Sequence, residues 1–189
     1  LLLAGLRADG ITTLTQPAES RDHTERMFSA MGVNLKTSGL DLVLEPSELN
    51  TVDVEIPGDI SSAAFWMVAG ICHPDAELMI RNVGINPTRA GIITALQMMG
   101  ANLTLIDERV VAGEPVADVL VKTSQLNGIE LSGDIVPLLI DEIPVITVAA
   151  AIAEGETVIR DAEELRVKES DRIHTSITWL NGAGIDAVG

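Results

Sequence analysis

Aromatic side chains are nearly missing from this chain: two Trp, two Phe and no Tyr among 189 residues. Proteins that grip bases or sugar rings use flat side chains as platforms, so that mode of recognition is set aside. Positive charge is scarce too, with 12 Lys and Arg against 28 Asp and Glu, a formal charge of −16. A nucleic-acid partner needs a basic face for its phosphates, and none is expected here. If the chain holds an anion, a local group of cations must do so against the field of the whole molecule. Cysteine is reduced to Cys72, in an apolar run, which reads as an inert buried thiol. With one cysteine no disulfide framework forms, which fits a reducing, cytoplasmic setting. His73 and His174 have no Cys or His at metal-ligand spacing, so neither a metal site nor a cofactor is expected. Long apolar runs are absent as well. "AAFWMVAGIC" (63–72) and "IPVITVAAAIA" (143–153) fall short of the ~20 residues that span a bilayer. No basic stretch precedes "LLLAGL", and neither Gly-x-Gly-x-x-Gly, a P-loop nor Gly-x-Ser-x-Gly occurs.

What is present is apolar material for a core, 47% of the chain, arranged in a repeat. Residues 1–35, 65–103 and 146–186 resemble one another. Each has an Ala- or Gly-rich helix end, a short strand ("ITTLT", "ELMI", "ETVI"), a loop, an amphipathic helix and a glycine terminator. Ser20, Asn86 and Ser170 are N-cap residue types, and Pro87 suits a first helical position. Ser61 and Ser62 are capping candidates in "GDISSAAFW" (58–66). Gly32 and Gly100 suit the left-handed position that ends a helix, and Ile173, Ile177 and Leu180 form one stripe. Alternating strands follow: "LDLVLE" (40–45), "TVDVEI" (51–56), "LTLIDE" and "ADVLVKT". A β-α-β-α-β-β unit recurring at intervals of roughly 65–80 residues predicts an α/β fold with helices inside and sheets outside. An ordinary α/β sandwich is the alternative. The boundary falls at "IPGD" (56–59), giving 1–56 and 57–189 as parts of two lobes. The chain starts without Met and stops at "IDAVG" in mid-pattern, and so reads as an internal piece of a longer protein.

Two constellations carry chemistry. Asp141 and Glu142 interrupt "IVPLLI" and "IPVITVAAAIA". At least one carboxylate there should meet low-dielectric surroundings, which raise its pKa and suit proton transfer. Asp141 also fits as the cap of the helix holding Pro144, and the two roles are compatible because anions bind at helix N-termini. The second constellation is "RVKESDRI" (166–173), five charges in eight residues. A cation in a helix's first turn opposes the dipole, so Arg172 there makes sense if an anion completes the site. Lys168 and Arg172 could hold a phosphate or carboxylate, with Glu169 placed for proton transfer. The bland alternative is mutual neutralisation on a solvated surface. "ESRDHTERM" (19–27) echoes this pattern: Ser20 and Arg21 face a possible anion, and His23 reads as an exposed first-turn histidine. Arg89 in "INPTRAG" reads as structural.

These segments are recognisable together. "DEIPVITVAAAIAEGETVIRDAEELRVKESDRI" (141–173) closely resembles the 5-enolpyruvylshikimate-3-phosphate synthase family, and "AESRDHTERM" and "PGDISSAAFW" look like its earlier segments, in the family's order. The resemblance covers essentially the whole chain, and "RVKESDRI" is a specific signature. It implies two lobes, each an inside-out α/β barrel of three β-α-β-α-β-β units. It also implies transfer of the enolpyruvyl group of phosphoenolpyruvate to the 5-hydroxyl of shikimate 3-phosphate, releasing phosphate without a metal. By similarity Asp141 accepts the hydroxyl proton and Glu169 shuttles a proton at the methylene carbon. Lys168 binds shikimate 3-phosphate, Arg172 pairs with the phosphoenolpyruvate carboxylate, and Ser20 and Arg21 lie near the shikimate phosphate. The resemblance further implies a cytoplasmic enzyme, monomeric when full length. The family's glycine-rich loop, N-terminal Lys-Ser and C-terminal Arg and Lys fall outside residues 1–189, so this piece alone is expected to be inactive. The rivals are UDP-N-acetylglucosamine enolpyruvyltransferase, which shares the fold and donor, and a non-catalytic binding relic.

Overall fold

Glycines that no other residue replaces cheaply punctuate the chain where the repeat requires them. Gly32, Gly100 and Gly184 all adopt positive φ just past a helix (79°, 91° and 84°), as the terminator pattern demands. The computed structural model describes residues 1–17 and 19–189. The first helix–strand–helix–strand–strand series is α1 (Leu2–Gly5), β1 (Thr12–Thr15), α2 (His23–Ala30), β2 (Leu35–Ser38) and β3 (Asp41–Leu44). The second is α3 (Ile60–Cys72), β4 (Glu77–Gly84), α4 (Gly91–Met98), β5 (Asn102–Val111) and β6 (Glu114–Lys122). A short strand β7 (Glu130–Leu131) leads, through a 3-10 turn over Gly133–Leu138, to α5 (Ile143–Ile152), β8 (Val158–Ile159) and α6 (Arg172–Gly182).

The repeat is visible in the hydrogen bonding. Both three-stranded sheets place the third strand of the unit in the middle, β1-β3-β2 and β4-β6-β5, with every pairing antiparallel. The crossover halves also correspond: Gly58 bridges Val83 in parallel across α3, and β7 pairs with β8 in parallel across α5. This is the β-α-β-α-β-β unit read from the sequence.

Helices line the inside. α3 packs on β4 and β6 on one side and on α5 on the other. It comes so close to the sheet that a Cβ at Gly70 would lie 2.7 Å from a Val121 methyl. Met67, Ile71, Leu96, Val119, Val121, Leu139 and Ile146 are fully buried in this larger core. A separate smaller core gathers Leu2, Leu6, Phe28, Val33, Leu42 and Leu44. The helix layer is not covered all round, since Phe65 and Trp66 of α3 are 66% and 62% exposed.

Several local expectations change. Residues 51–56 alternate like a strand but pair with nothing among the described residues; alternation marks a possible strand, and only a partner makes one. Pro87 lies in a turn, and α4 starts later, at Gly91. Asn86 instead folds its own loop, its Oδ1 accepting from the Thr88 N–H at 2.9 Å. Asp59, rather than Ser61 or Ser62, caps α3, accepting from the Ser62 N–H. Asp171, rather than Ser170, caps α6, accepting from the His174 N–H at 2.9 Å. Asp22, rather than Ser20, precedes α2, while the Ser20 hydroxyl donates to Gln16. Each time an aspartate beside the serine or within three residues of it takes the place. The Asp59 and Asp171 carboxylates accept from the first turn, where the helix dipole favours an anion, whereas the Asp22 carboxylate holds Arg26 and Asn86 instead.

Candidate active site

α5 is almost wholly apolar, and Asp141 sits just before it, where a charge can leave the core. Its carboxylate is 26% exposed and meets three cations from two distant segments. Arg21 Nη2, from the loop entering α2, donates to Oδ2 at 2.5 Å. Arg172 Nη1, the first residue of α6, donates to Oδ1 at 3.2 Å, and Lys168 Nζ stands 3.9 Å from the same oxygen. Lys168 also pairs with Glu164 at 2.5 Å. The other Arg172 nitrogen forks onto both oxygens of Glu169, at 2.7 and 3.0 Å.

A cleft of about 440 Å³ opens on this group. Ser20, Arg21, Asp141 and Lys168 line it, together with Thr88 and Glu164. Arg172 reaches the cleft through Asp141, and Glu169 stands further out with its side chain 72% exposed. All six residues expected at the site therefore lie in one neighbourhood, four of them on the cleft wall. Sequence reading missed Glu164, one helical turn before Lys168. It also missed how Arg89 is tied in: its Nη2 lies 2.5 Å from the Ser61 hydroxyl and 3.5 Å from Asp59. The histidine His23 is exposed as expected, yet its Nδ1 meets Glu114 at 2.8 Å.

The adjacent carboxylates divide the electrostatics. Burial pushes the Asp141 carboxyl upward, but the Arg21 hydrogen bond, the charges of Arg21 and Lys168 and the Arg172 hydrogen bond outweigh it and hold it below the usual range. Burial also acts on Glu142, 3% exposed, and there it prevails over the Ser61 hydrogen bond and the Arg89 charge, so this carboxyl is raised. The hydrogen bond from Arg172 lowers Glu169. Of the pair, Glu142 is thus the low-dielectric carboxylate foreseen from the sequence. Asp141 does not cap α5 with its side chain; Glu142 holds the capping place, without a side-chain cap bond.

The signs predict opposite pH dependences. Asp141, with a depressed folded pKa, adds stability that is present above its unfolded value of about 3.9 and lost as pH falls through the lower folded value. Glu142, with a raised folded pKa, adds stability below about 4.3 that is lost as pH rises through its folded value. Urea midpoints measured from about pH 2 to pH 8 check this. Asp141→Asn should fall short of wild type at neutral pH, the gap closing on acidification. Glu142→Gln should gain on wild type as pH rises.

Chemically, three cations are occupied by carboxylates rather than by buried counter-charges. An incoming phosphate or carboxylate can compete for Arg21, Lys168 and Arg172 at the mouth of the cleft, and each pair it displaces leaves a carboxylate with greater proton affinity.

Comparison with known proteins places the chain in a family. The profile of the EPSP synthase (3-phosphoshikimate 1-carboxyvinyltransferase) family matches residues 1–188. A 3-phosphoshikimate 1-carboxyvinyltransferase of Gloeothece citriformis is 58% identical over 187 residues, covering 97% of this chain and 42% of that protein. Its counterpart in Geobacter sulfurreducens is 57% identical over 185 residues, covering 97% of this chain and 43% of the relative. The chain thus spans about two fifths of the length of the curated relatives it matches. The solved EPSP synthase of Acinetobacter baumannii superposes with a TM-score of 0.91 at 49% identity, over 95% of this chain and 41% of that one. The enolpyruvyl transferase NikO of Streptomyces tendae, 24% identical, superposes at a TM-score of 0.62 over 85% of this chain and 38% of that one, a likeness of fold. With its repeated α/β units and the segments that converge on Asp141, the chain belongs to the EPSP synthase family.

Proposed function

We propose that the protein containing this chain transfers the enolpyruvyl group of phosphoenolpyruvate to the 5-hydroxyl of shikimate 3-phosphate and releases phosphate. The observation that carries the reading is Asp141 held among Arg21, Lys168 and Arg172 at the edge of a cleft. Two anionic substrates need cations, and Lys168, Arg21 and Ser20 are assigned to the shikimate phosphate. The planar fork of Arg172 is assigned to the phosphoenolpyruvate carboxylate, which replaces Glu169 as its bidentate partner.

The reaction is an addition followed by an elimination. Once the phosphoenolpyruvate carboxylate has taken Arg172 from Glu169, that carboxyl regains proton affinity and enters the reaction protonated. The acceptor hydroxyl gives its proton to Asp141 as its oxygen bonds to the enol phosphate carbon, and the methylene gains a proton from Glu169 to become methyl. Phosphate then leaves with the proton that Asp141 received, the methyl returns a proton to Glu169, and the double bond is restored, so both carboxyl groups end as they began. Asp141 starts ionised, as a proton acceptor must. Substrate anions that draw its cations away raise its proton affinity at the moment it is needed. We further assign residues 1–56 and 57–189 to two lobes, a division supported by the two separate apolar cores. A monomer in a reducing cytoplasm suits the single half-buried cysteine.

Phosphate release from phosphoenolpyruvate by the full-length protein tests the reading. Release with shikimate 3-phosphate and none with UDP-N-acetylglucosamine is the expected result. Release with the sugar nucleotide alone would assign the other acceptor, and release with neither would leave a binding relic.

A further inference from the structure

Glu142 is a buried carboxylate that the chemistry above does not use. Only 3% exposed, it points away from the cleft towards α3, where the Ser61 hydroxyl donates to its Oε1. Arg89 Nη2 lies 2.5 Å from that hydroxyl and 3.8 Å from the same Glu142 oxygen, and reaches the α3 cap Asp59 at 3.5 Å. The main chain of Glu142 is fixed as well: its N–H donates to Leu139 O at 2.9 Å, and its carbonyl accepts from Val145 and Ile146 at 3.0 Å each. A residue tied on both sides leaves its neighbour little choice of direction.

The cluster is one arc of a larger ring. Arg89 follows Thr88, which lines the cleft and hydrogen-bonds Asn86. Asn86 Nδ2, on a side chain only 3% exposed, donates to Asp22 Oδ1 at 2.7 Å. Asp22 follows Arg21, and Arg21 closes the ring on Asp141. Peptide bonds and hydrogen bonds together close this ring beside the cleft.

We infer that Glu142, with Ser61 and Arg89, is a positioning residue that turns the Asp141 carboxylate towards the cleft. The inference rests on the reading of Asp141 as the proton acceptor. A raised Glu142 carboxyl agrees with a group held for its shape and hydrogen bond rather than for exposure to substrate.

The test uses the full-length protein with Glu142→Ala, Ser61→Ala and Glu142→Gln. Misplacement by about an ångström costs as much as ~10²-fold in turnover. Glu142→Ala is therefore expected to lower kcat by roughly 10- to 100-fold while KM for phosphoenolpyruvate stays within about threefold, since the cations remain. Ser61→Ala should act in the same direction. Glu142→Gln, which keeps an acceptor for Ser61, should recover most of the loss.

A second readout needs no turnover. The ¹³C resonance of the Asp141 carboxyl, assigned by its loss in Asp141→Asn, should titrate below ordinary aspartate in wild type. In Glu142→Ala it should move back towards the ordinary value as contact with Arg21 and Arg172 loosens. An unchanged titration overturns the inference, whether kcat holds or falls together with thermal stability, because Glu142 is then a packing group only. If the wild-type protein releases no phosphate with shikimate 3-phosphate, the functional reading fails, while the titration still decides whether Glu142 aims Asp141.

Discussion

Full-length protein carrying Asp141→Asn is expected to release phosphate from phosphoenolpyruvate and shikimate 3-phosphate about 10²- to 10⁴-fold more slowly, the range for losing a general base. Asparagine is nearly the same shape and still offers Arg21 an oxygen, so the cleft keeps its form. What disappears is the proton acceptor, together with one negative charge facing Arg21, Lys168 and Arg172. With that competitor gone, an incoming anion no longer has to displace a charged Asp141 from the three cations, although Lys168 still holds Glu164 and Arg172 still holds Glu169. The loss should therefore fall on kcat, with KM for either anionic substrate unchanged or lower. Steady-state phosphate release against the concentration of each substrate separates the two constants. A higher KM with normal kcat would mean that Asp141 only orients the cations, and the proton acceptor would have to be sought elsewhere on the cleft.

The parts of this argument that the sequence disclosed are those with a local period or a local clash. Repetition of a capped amphipathic helix, a glycine at positive φ and alternating strands specifies the unit, because each signal lies within one element and its turn. Five charges packed into 166–173 announce a site for the same reason. Cap identity was less legible: Ser170 and Asp171 are both good caps, and their choice depends on which carbonyl starts the helix. Residues 51–56 have the alternation of a strand, but a strand is a relation between two segments, and sequence shows one of them. The pairing of Arg21 with Asp141 spans 120 positions. Nothing local to either residue fixes it; polar bonds between the two halves do, from Asn86 to Asp22, from Arg26 to the Gly113 carbonyl and between His23 and Glu114. Arg89 was legible as structural, yet its service to Glu142 depends on where α3 lies against α5.

Those supports make the stability of α5 a property of the site as well as of the core. Ile146 is fully buried, one turn from Glu142, whose carbonyl accepts its N–H. α5 carries no charge between Ile143 and Ile152, so packing against α3 and α6 is what keeps the helix in place. Ile146→Ala removes three carbons from a closed interior and leaves a space that the rest of the core fills only in part. We expect a loss of about 2–5 kcal/mol, read as a lower urea midpoint at unchanged slope. Val148, on the same helix but 40% exposed, provides the control: Val148→Ala should shift stability by no more than ~0.5 kcal/mol. The two variants should also part company in the site. Below its own transition the Ile146→Ala protein should keep KM while kcat declines, because a helix that rocks in a cavity moves Asp141 before it moves the cations ahead of α2 and at the start of α6. Equal kcat in the two variants would show that the ring through Ser61 and Arg89 holds the carboxylate even when the helix beneath it is loose.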